Sequence, residues 1–573
     1  MQNILSLITE AIHTLYGINF TPDISVAPKP ELGEYCTNVF PLAKTLGKAP
    51  NLIADEIATE LTKEHDTFVS TSATGGYVNF FLTDRVWITL FESLDTGKRN
   101  TDQGTIVVDY IGMNVGKPPH IGHICTPLQG QAIINIMRYL GYHVIGDSHL
   151  GDWGFLFGKL IVGFQKYGDP KRLETDAIDH LLEVYIAINT DAENDPAVEQ
   201  TCRDAFRALS DGNTEYTELW ARFTRASITT AKKMLSLMHV KQDFDVGESF
   251  YEGLSLPVIG DQPPLEFDMN SIVTELVSKG IATQNEDGSI GVIFPEDTKM
   301  PSTILRKRDG TNLYLTSDLA AIKYRLTNGW NPIKILYFVD IRQQLHLKQA
   351  FWIATQAWPE LLQNKELFHA ANGALVLPEG AMSTRKGNII RLDALVEEGF
   401  LRTKNILEEK GRTLSEDDIR EIAVGAIKYS YLSQDRERNI VFGWDKALNF
   451  EGNSGPYIQY AYVRAMKLVP VGFNTEKIPN NIHLSPYDRS LIQILARFDE
   501  VIENTVRNYK PHHLALYCYD LAVAFNSFYV HTPKILDEKE EGLRDFRLSL
   551  CQKFCNQIRL GFELLAIKMP TEM

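Results

Sequence analysis

Cysteine is scarce and scattered in this chain: Cys36, Cys125, Cys202, Cys518, Cys551 and Cys555 are its six thiols among 573 residues. None forms a Cys-x-x-Cys pair, and Cys551 and Cys555, one helical turn apart, have no second ligand pair nearby. No disulfide framework or zinc site is therefore expected, and the thiols read as small buried hydrophobes in a reducing cytoplasm. Long apolar runs are missing too, so no stretch suits a membrane span. The opening MQNILSLITEAIHTLYG has the pattern of an amphipathic helix and lacks a basic n-region with a cleavage site, so it is read as mature protein. Basic residues are outnumbered: 57 Lys and Arg against 73 Asp and Glu give a formal net charge of −16. That balance argues against indiscriminate coating of nucleic acid, while a locally basic face could still read one specific RNA.

With 44% hydrophobic and 23% charged residues, the composition is that of an ordinary globular protein, long enough for several domains. The stretch that organises it runs from Thr105 to Gly158. Thr105 to Tyr110 is a short β-branched apolar run, read as a buried parallel strand. A Gly- and Pro-containing loop follows, ending in His120-Ile121-Gly122-His123. The spacing then predicts a helix from about Ile124 to Leu140, with Pro127 in its first turn and Gly141 as its stop. Tyr142 to Ile145 returns to the sheet. The first loop and helix N-terminus of such a strand–loop–helix–strand unit form the usual site for phosphates. Gly122 lets a nucleotide lie close to the backbone, and the imidazoles on either side can act as donors to charge growing on an α-phosphate.

Asp109-Tyr110 and Asn114-Val115-Gly116-Lys117 precede these histidines, and Leu150-Gly151-Asp152-Trp153-Gly154 with Phe157-Gly158 follow them. The set resembles the catalytic signature of class I aminoacyl-tRNA synthetases, specifically the arginyl-tRNA synthetases. Ile111-Gly112-Met113 stands where that family usually carries Ser-Ser-Pro. Downstream, Gly380 to Asn388 (GAMSTRKGN) resembles the family's mobile KMSKS loop, with Ala381 and Thr384 in the places of its lysines. The resemblance implies ATP as a substrate, with Mg²⁺ accompanying the nucleotide and no zinc. It further implies His120, His123, Lys117, Arg385 and Lys386 as catalytic groups, and Gly122, Met382 and Ser383 with the two histidines at the ATP. In the family a Lys just ahead of the histidines compensates for a divergent KMSKS loop, and Lys117 holds that place.

Arginine carries a planar guanidinium with five donors, so a selective pocket needs carboxylates and neutral acceptors arranged as a fork. Asp109, at the carboxyl end of the first strand, and Asp318 can supply the charge. Tyr314 lies four residues before Asp318, on one face if helical, and with Gln343 can complete the hydrogen bonding. In the resembling family these positions, with Asn114, bind the amino acid; Gln343 is placed by alignment to His346, and Gln344 is the alternative.

Residues 1–104 read as a small α/β module. A first helix and a Pro-rich loop are followed by helical spacing over Asn38 to Leu46 and Asn51 to Lys63, the strand Tyr77 to Leu82 and a polar linker from Asp95 to Gln103. It resembles the family's N-terminal additional domain, which touches the outer corner of the tRNA. Tyr77 and Asn79 are then contact candidates, or else part of a half-buried strand. The pattern from about Pro170 to Phe244 is a helical insertion. Asp287-Gly288 marks a hairpin turn, Lys334 to Asp340 a second buried strand, and Ile389 to Leu392 a strand-like run. Beyond about Ala394 the chain is almost wholly helical. There Tyr457, Gln459, Tyr460 and Arg464 could stack on bases or form a core stripe. The ending resembles the family's anticodon-binding helical domain.

The expected architecture is an α/β, Rossmann-like, doubly wound catalytic domain with a parallel sheet (105–390, helical insertion at about 170–244). A small α/β N-terminal domain (1–104), a helical connector contacting the tRNA stem (391–448) and an all-α anticodon-binding domain (449–573) complete it. The implied activity is ATP-dependent activation of L-arginine to arginyl-adenylate and transfer to the 3′-terminal ribose of tRNA(Arg), by a cytoplasmic monomer without a membrane partner. Two rival readings remain. One is a tRNA-binding paralogue without catalysis, suggested by Ala381 and Thr384. The other is a nucleotidyltransferase sharing the His-x-x-His loop, which would have little use for so long a helical tail.

Overall fold

Strand and helix segregate in this chain as its hydrophobic periodicities demand. The computed structural model describes residues 2–29, 31–94, 97, 102–116, 119–252, 257, 259–376, 390–473, 478–479 and 481–573. They group into two compact units, one of Met1–Thr96, Arg464–Asp499 and Asp520–Gln557, the other of Gly97–Val463, Glu500–Tyr519 and Ile558–Met573.

In the first unit, β1 (Ile24–Val26), β2 (Tyr35–Asn38), β3 (Phe68–Thr74) and β4 (Tyr77–Leu82) form an antiparallel sheet in the order β1-β2-β4-β3. Gly75 and Gly76, with φ of 59° and 88°, make the two-residue turn joining β3 to β4, a geometry that favours glycine at both places. Asn38, expected to open a helix, instead pairs with Tyr77 as the last residue of β2. The helix runs Phe40–Leu46, with Pro41 pre-set for its first turn. Arg489, on the helix Pro486–Leu495, donates to Glu34 (2.9 Å) and Asp84 (2.7 Å). This joins C-terminal helices to the N-terminal strands in one unit, a pairing across the length of the chain that no local pattern announces.

The second unit is built on a five-stranded parallel sheet. Its strands are β5 (Thr105–Asp109), β6 (His143–Leu150), β7 (Phe244–Gly247), β11 (Lys334–Tyr337) and β12 (Glu366–His369), in the order β12-β11-β5-β6-β7. Three short strands between them, β8 (Thr283–Gln284), β9 (Ile290–Val292) and β10 (Thr303–Arg306), form a small antiparallel sheet that includes the expected Asp287-Gly288 turn. A last pair, β13 (Leu375–Val376) and β14 (Ile440–Val441), is parallel. From β5 the chain winds towards β6 and β7, then crosses to β11 on the other side. The strand order therefore reverses beside β5, and the crevice beyond the carboxyl ends of these strands is where such sheets take ligands.

Alternation along the strands decides what faces that crevice. Val107 and Ile145 point into a core with Leu315, Leu319, Ile322, Ile335 and Leu347. Asp109, Asp147 and His149 follow at two-residue intervals and so share that face. Residues of opposite parity meet the helix Cys125–Tyr139, where Gly130 lies so close to Tyr110 that a Cβ there would collide with the ring.

Two boundaries differ from the sequence reading. The helical insertion ends at Leu237, and Phe244 begins β7. Of Ile389 to Leu392, Ile389 lies outside the described residues. Arg391 makes one isolated bridge to His120, and Leu392 opens the helix Leu392–Glu409. The Asp393 carboxylate explains the early start: it accepts from Ala394 N (2.9 Å) and from the Arg391 guanidinium (2.8 and 3.0 Å), favourable chemistry at a helix N-terminus.

Gly130→Ala should destabilise the second unit by about 1–3 kcal/mol in urea titration, because the added methyl has no room against Tyr110. An unchanged midpoint would show that the helix can shift away without loss.

Candidate active site

His120 caps the single 3-10 turn Ile121–His123 that follows the crevice loop. Its Nδ1 accepts from Gly122 N (3.1 Å), while His120 N donates to His123 Nδ1 (3.3 Å). Accepting at Nδ1 places the proton of each neutral ring on Nε2, so both rings are Nε2–H donors. The rings stack at 3.6 Å with planes 25° apart. Burial lowers the His120 pKa, which keeps it neutral and removes the repulsion that two stacked imidazolium ions would have. The chain just after 377–389 lies on this loop: Ile121 N donates to Ile390 O (3.0 Å) and Leu392 N to Pro119 O (3.2 Å). Arg391 also pairs with Asp179 of the helical insertion. Lys117, Met382, Ser383, Arg385 and Lys386 lie outside the described residues.

Beneath the crevice, Asp109 and Asp147 are in-register neighbours on β5 and β6, and both are buried. Arg325 reaches them from the helix Tyr314–Thr327, with Nη2 2.9 Å from Asp109 Oδ2 and Nε 2.8 Å from Asp147 Oδ2. Its guanidinium also stands 5.3 Å from the Tyr337 ring centroid. Asp109, offered to substrate in the sequence reading, thus has one carboxylate oxygen engaged by Arg325 within the fold. Side by side in the core, the two acids require a counter-ion, and Arg325 supplies it. Burial still pushes Asp147 up to about 7, against the pull of Arg325.

Asp318 lies seven residues before Arg325, on the same stripe of the helix and two turns nearer its start. Its Oδ2 is 2.5 Å from His346 Nε2, and its Oδ1 is 3.8 Å from His149 Nε2. Burial alone would raise this carboxyl, but the His346 hydrogen bond and the nearby imidazoles outweigh it and the pKa falls. Glu248, in the turn after β7, behaves oppositely: burial first, then Asp152 and Asp318, push it up to about 9. No cation is paired with Glu248 among the described residues. Asp152 fixes that turn, accepting from Ser249 N (2.8 Å) and Ser249 Oγ (2.6 Å), while Trp220 Nε1 donates to its carbonyl (2.8 Å). The Tyr314 hydroxyl is raised by burial and by Glu248, and it stands beside Gly154, whose φ of 111° suits glycine. Asp318, charged, with Glu248 and Tyr314 protonated beside it, thus forms an acidic pocket that favours a cationic ligand.

Asn114 bridges Gly151 beside this pocket, and Gln343 is exposed in the 3-10 turn Ile341–Gln343. The sequence reading missed Glu248, His149, His346 and Arg325. One signal was available: Asp318, Ile322 and Arg325 follow the i, i+4, i+7 spacing, placing a charge on a core stripe. Among the tRNA candidates, Tyr77 is 42% exposed, its ring edge-on to Phe40, whereas Asn79 is 2% exposed and cannot meet a base edge. Gln459 is also corrected: fully buried, it spends its amide on the carbonyls of Glu421 (3.2 Å) and Lys568 (3.0 Å). Tyr457 and Tyr460 are half-buried. Arg464 donates to Asn526 (3.3 Å) and lies over the Tyr529 ring.

Three family models match the chain: the arginyl tRNA synthetase N terminal domain at residues 2–82, the class I (R) tRNA synthetase catalytic domain at 86–444, and the DALR anticodon binding domain at 458–573. The chain is 34% identical over 560 residues to an arginine–tRNA ligase of Clostridium beijerinckii, covering 96% of each chain. It is 33% identical over 563 residues to one of Clostridium botulinum, again covering 96% of each. In fold it is similar to the Thermus thermophilus arginyl-tRNA synthetase, with a TM-score of 0.76, 23% identity and 100% of both chains covered.

Arg325→Met should cost about 3–5 kcal/mol at neutral pH, measured by chemical denaturation, because two buried carboxylates lose their cation. The loss should shrink towards about pH 5 as Asp147, already pushed up to about 7, takes up its proton. An acid whose pKa is raised by folding loses its penalty as pH falls. A loss that stays the same at both pH values would contradict the counter-ion role.

Proposed function

The chain belongs to the class I arginyl-tRNA synthetase family, and on that premise we propose that it activates L-arginine with ATP and joins it to tRNA(Arg). In the first step the arginine carboxylate oxygen attacks the α-phosphorus of ATP. The bond to the bridging oxygen breaks, and pyrophosphate leaves arginyl-adenylate behind. Negative charge grows on the equatorial phosphate oxygens, where the Nε2–H groups of His120 and His123 donate. Gly122, Met382 and Ser383 border the nucleotide, while Lys117, Arg385 and Lys386 balance the departing pyrophosphate. Mg²⁺ would accompany ATP and offset charge on its phosphates. In the second step the 2′-hydroxyl of the terminal ribose attacks the arginyl carbonyl and AMP leaves. The protein contributes position and charge in both steps.

One observation carries this reading: an acidic pocket, Glu248 with Asp318 and Tyr314, set over a floor whose acids already have their own guanidinium. Arginine's side chain brings the missing cation and would draw the Glu248 proton off. Asn114 and Gln343 flank the amino acid's other end. Residues 1–104 take the outer corner of the tRNA through Tyr77, 391–448 its stem, and 449–573 its anticodon through Tyr457, Tyr460 and Arg464. The protein works as a cytoplasmic monomer. Incubating it with a purified tRNA pool, ATP and each amino acid in turn tests this: arginine alone should be esterified. No ATP turnover with arginine and tRNA would favour the non-catalytic paralogue.

His123→Ala should lower the adenylation rate by about 10²–10³, the range for losing one oxyanion-type donor; near-normal turnover removes His123 from the mechanism. Glu248→Gln should raise the KM for arginine by about ten- to a hundredfold with little change for ATP. Equal losses for both ligands would mean that Glu248 only supports the fold.

A further inference from the structure

Asp318 is gripped by imidazoles. His346 Nε2 sits 2.5 Å from Oδ2, and His149 Nε2 lies 3.8 Å from Oδ1 and 3.4 Å from Ser317 Oγ. His346 stands in the first turn of the helix Gln344–Ala357, on the crossing from β11, and its side chain is about one-third exposed (32%). His149 comes from β6 and is more enclosed, with a side-chain exposure of 14%.

We propose that His346 is a positioning residue for the amino-acid substrate: neutral, it donates Nε2–H to Oδ2 of Asp318 and turns the carboxylate's remaining lone pairs to the guanidinium; protonated, it pairs with Asp318 and competes with the substrate for that charge. The inference rests on the assignment of Asp318 to the guanidinium. A carboxylate has about four acceptor sites, so one hydrogen bond from His346 fixes its plane and still leaves room for a bidentate fork. An imidazolium in the same place cancels the charge that the fork needs.

The surroundings identify His346 as the group that changes state. Facing the cluster are His149 from β6, Asp318 and Arg325 from the helix Tyr314–Thr327, Asp109 from β5, and Glu248 with Asp152 from the loops after β7 and β6. Arg325 is held by Asp109 and Asp147 and stays charged. Burial lowers the His149 pKa, so that ring remains neutral. For His346 burial also acts downwards, but the Asp318 hydrogen bond and charge outweigh it and the pKa is raised. Its proton is therefore lost above the ordinary histidine range, and arginine must bind more tightly as pH rises through that point. By linkage, binding of arginine expels the proton.

The test is the KM for arginine between about pH 6 and pH 8.5, with the KM for ATP measured alongside. In the wild type the arginine value should fall about five- to tenfold across that range, with ATP little changed. His346→Gln keeps an N–H near the Nε2 position and cannot take up a proton. It should retain the high-pH value and show a shallower acid rise, keeping only the part that loss of the Glu248 proton contributes to both proteins. His346→Ala loses the donor and should raise the KM for arginine about tenfold at pH 8. Calorimetry in two buffers of different ionisation enthalpy gives a second readout, since His346→Gln should release fewer protons than wild type when arginine binds near pH 7. Glu248 contributes equally to both proteins and cancels in that difference. An acid rise as steep in His346→Gln as in wild type overturns the inference, as does equal proton release. Asp318→Asn separates the layers. If it raises the KM for arginine while His346→Gln behaves as wild type, only the inference fails; if it leaves that KM unchanged, the assignment of Asp318 falls as well.

Discussion

A guanidinium buried between two carboxylates is the constraint from which the rest of the site follows. Arg325 is fully enclosed and reaches Asp109 on β5 and Asp147 on β6 at 2.9 and 2.8 Å. Removing three charges from water costs more than their attraction returns unless the geometry is fixed, so the triad pins the helix Tyr314–Thr327 to the two central strands. The pinning sets Asp318 two turns away on the same stripe. It also satisfies the acids of the floor, so the charge left over belongs to Asp318, with Glu248 protonated beside it.

Two kinds of electrostatics share the crevice. On the phosphate side stand stacked imidazoles whose Nδ1 atoms are committed to backbone amides, and burial favours the neutral form of His120. On the other side the groups are acidic, and burial holds Glu248 near 9 until a cation arrives. Keeping His120 neutral avoids a fixed cation that would bind product phosphate as tightly as the transition state. The proposed chemistry needs this separation, since ATP and arginine carry opposite charges at their recognised ends.

The sequence made the framework legible wherever local chemistry decided it. The β-branched run at Thr105, the Gly141 stop and the loop ending at His123 mark out a strand–loop–helix–strand unit, and the structure has it within a residue or two, with a longer second strand. What could not be read locally depends on partners distant in sequence. Asp109 read as a strand-end carboxylate with no internal partner. Its partner stands 216 residues away, and only the packed helix brings it there. Asn79 and Gln459 looked like polar residues set among aromatics, yet both are buried, Gln459 against backbone carbonyls. Asn38 was drawn into a helix by the residues after it, whereas its pairing with Tyr77 depends on a strand far downstream. Glu248 carried no periodic signal at all. Its importance comes from Asp152 and Ser249 bending the turn after β7 towards Asp318.

The central claim is that the acidic pocket recognises positive charge on a planar side chain, because the acids below it are already neutralised from within. Calorimetric titration with L-arginine and with L-citrulline, which keeps the shape and replaces the guanidinium by a neutral urea, tests that claim directly. Arginine should bind and citrulline should bind at least about a hundredfold more weakly, since it brings no cation to Asp318 and cannot displace the Glu248 proton. Comparable affinities for the two would contradict the account.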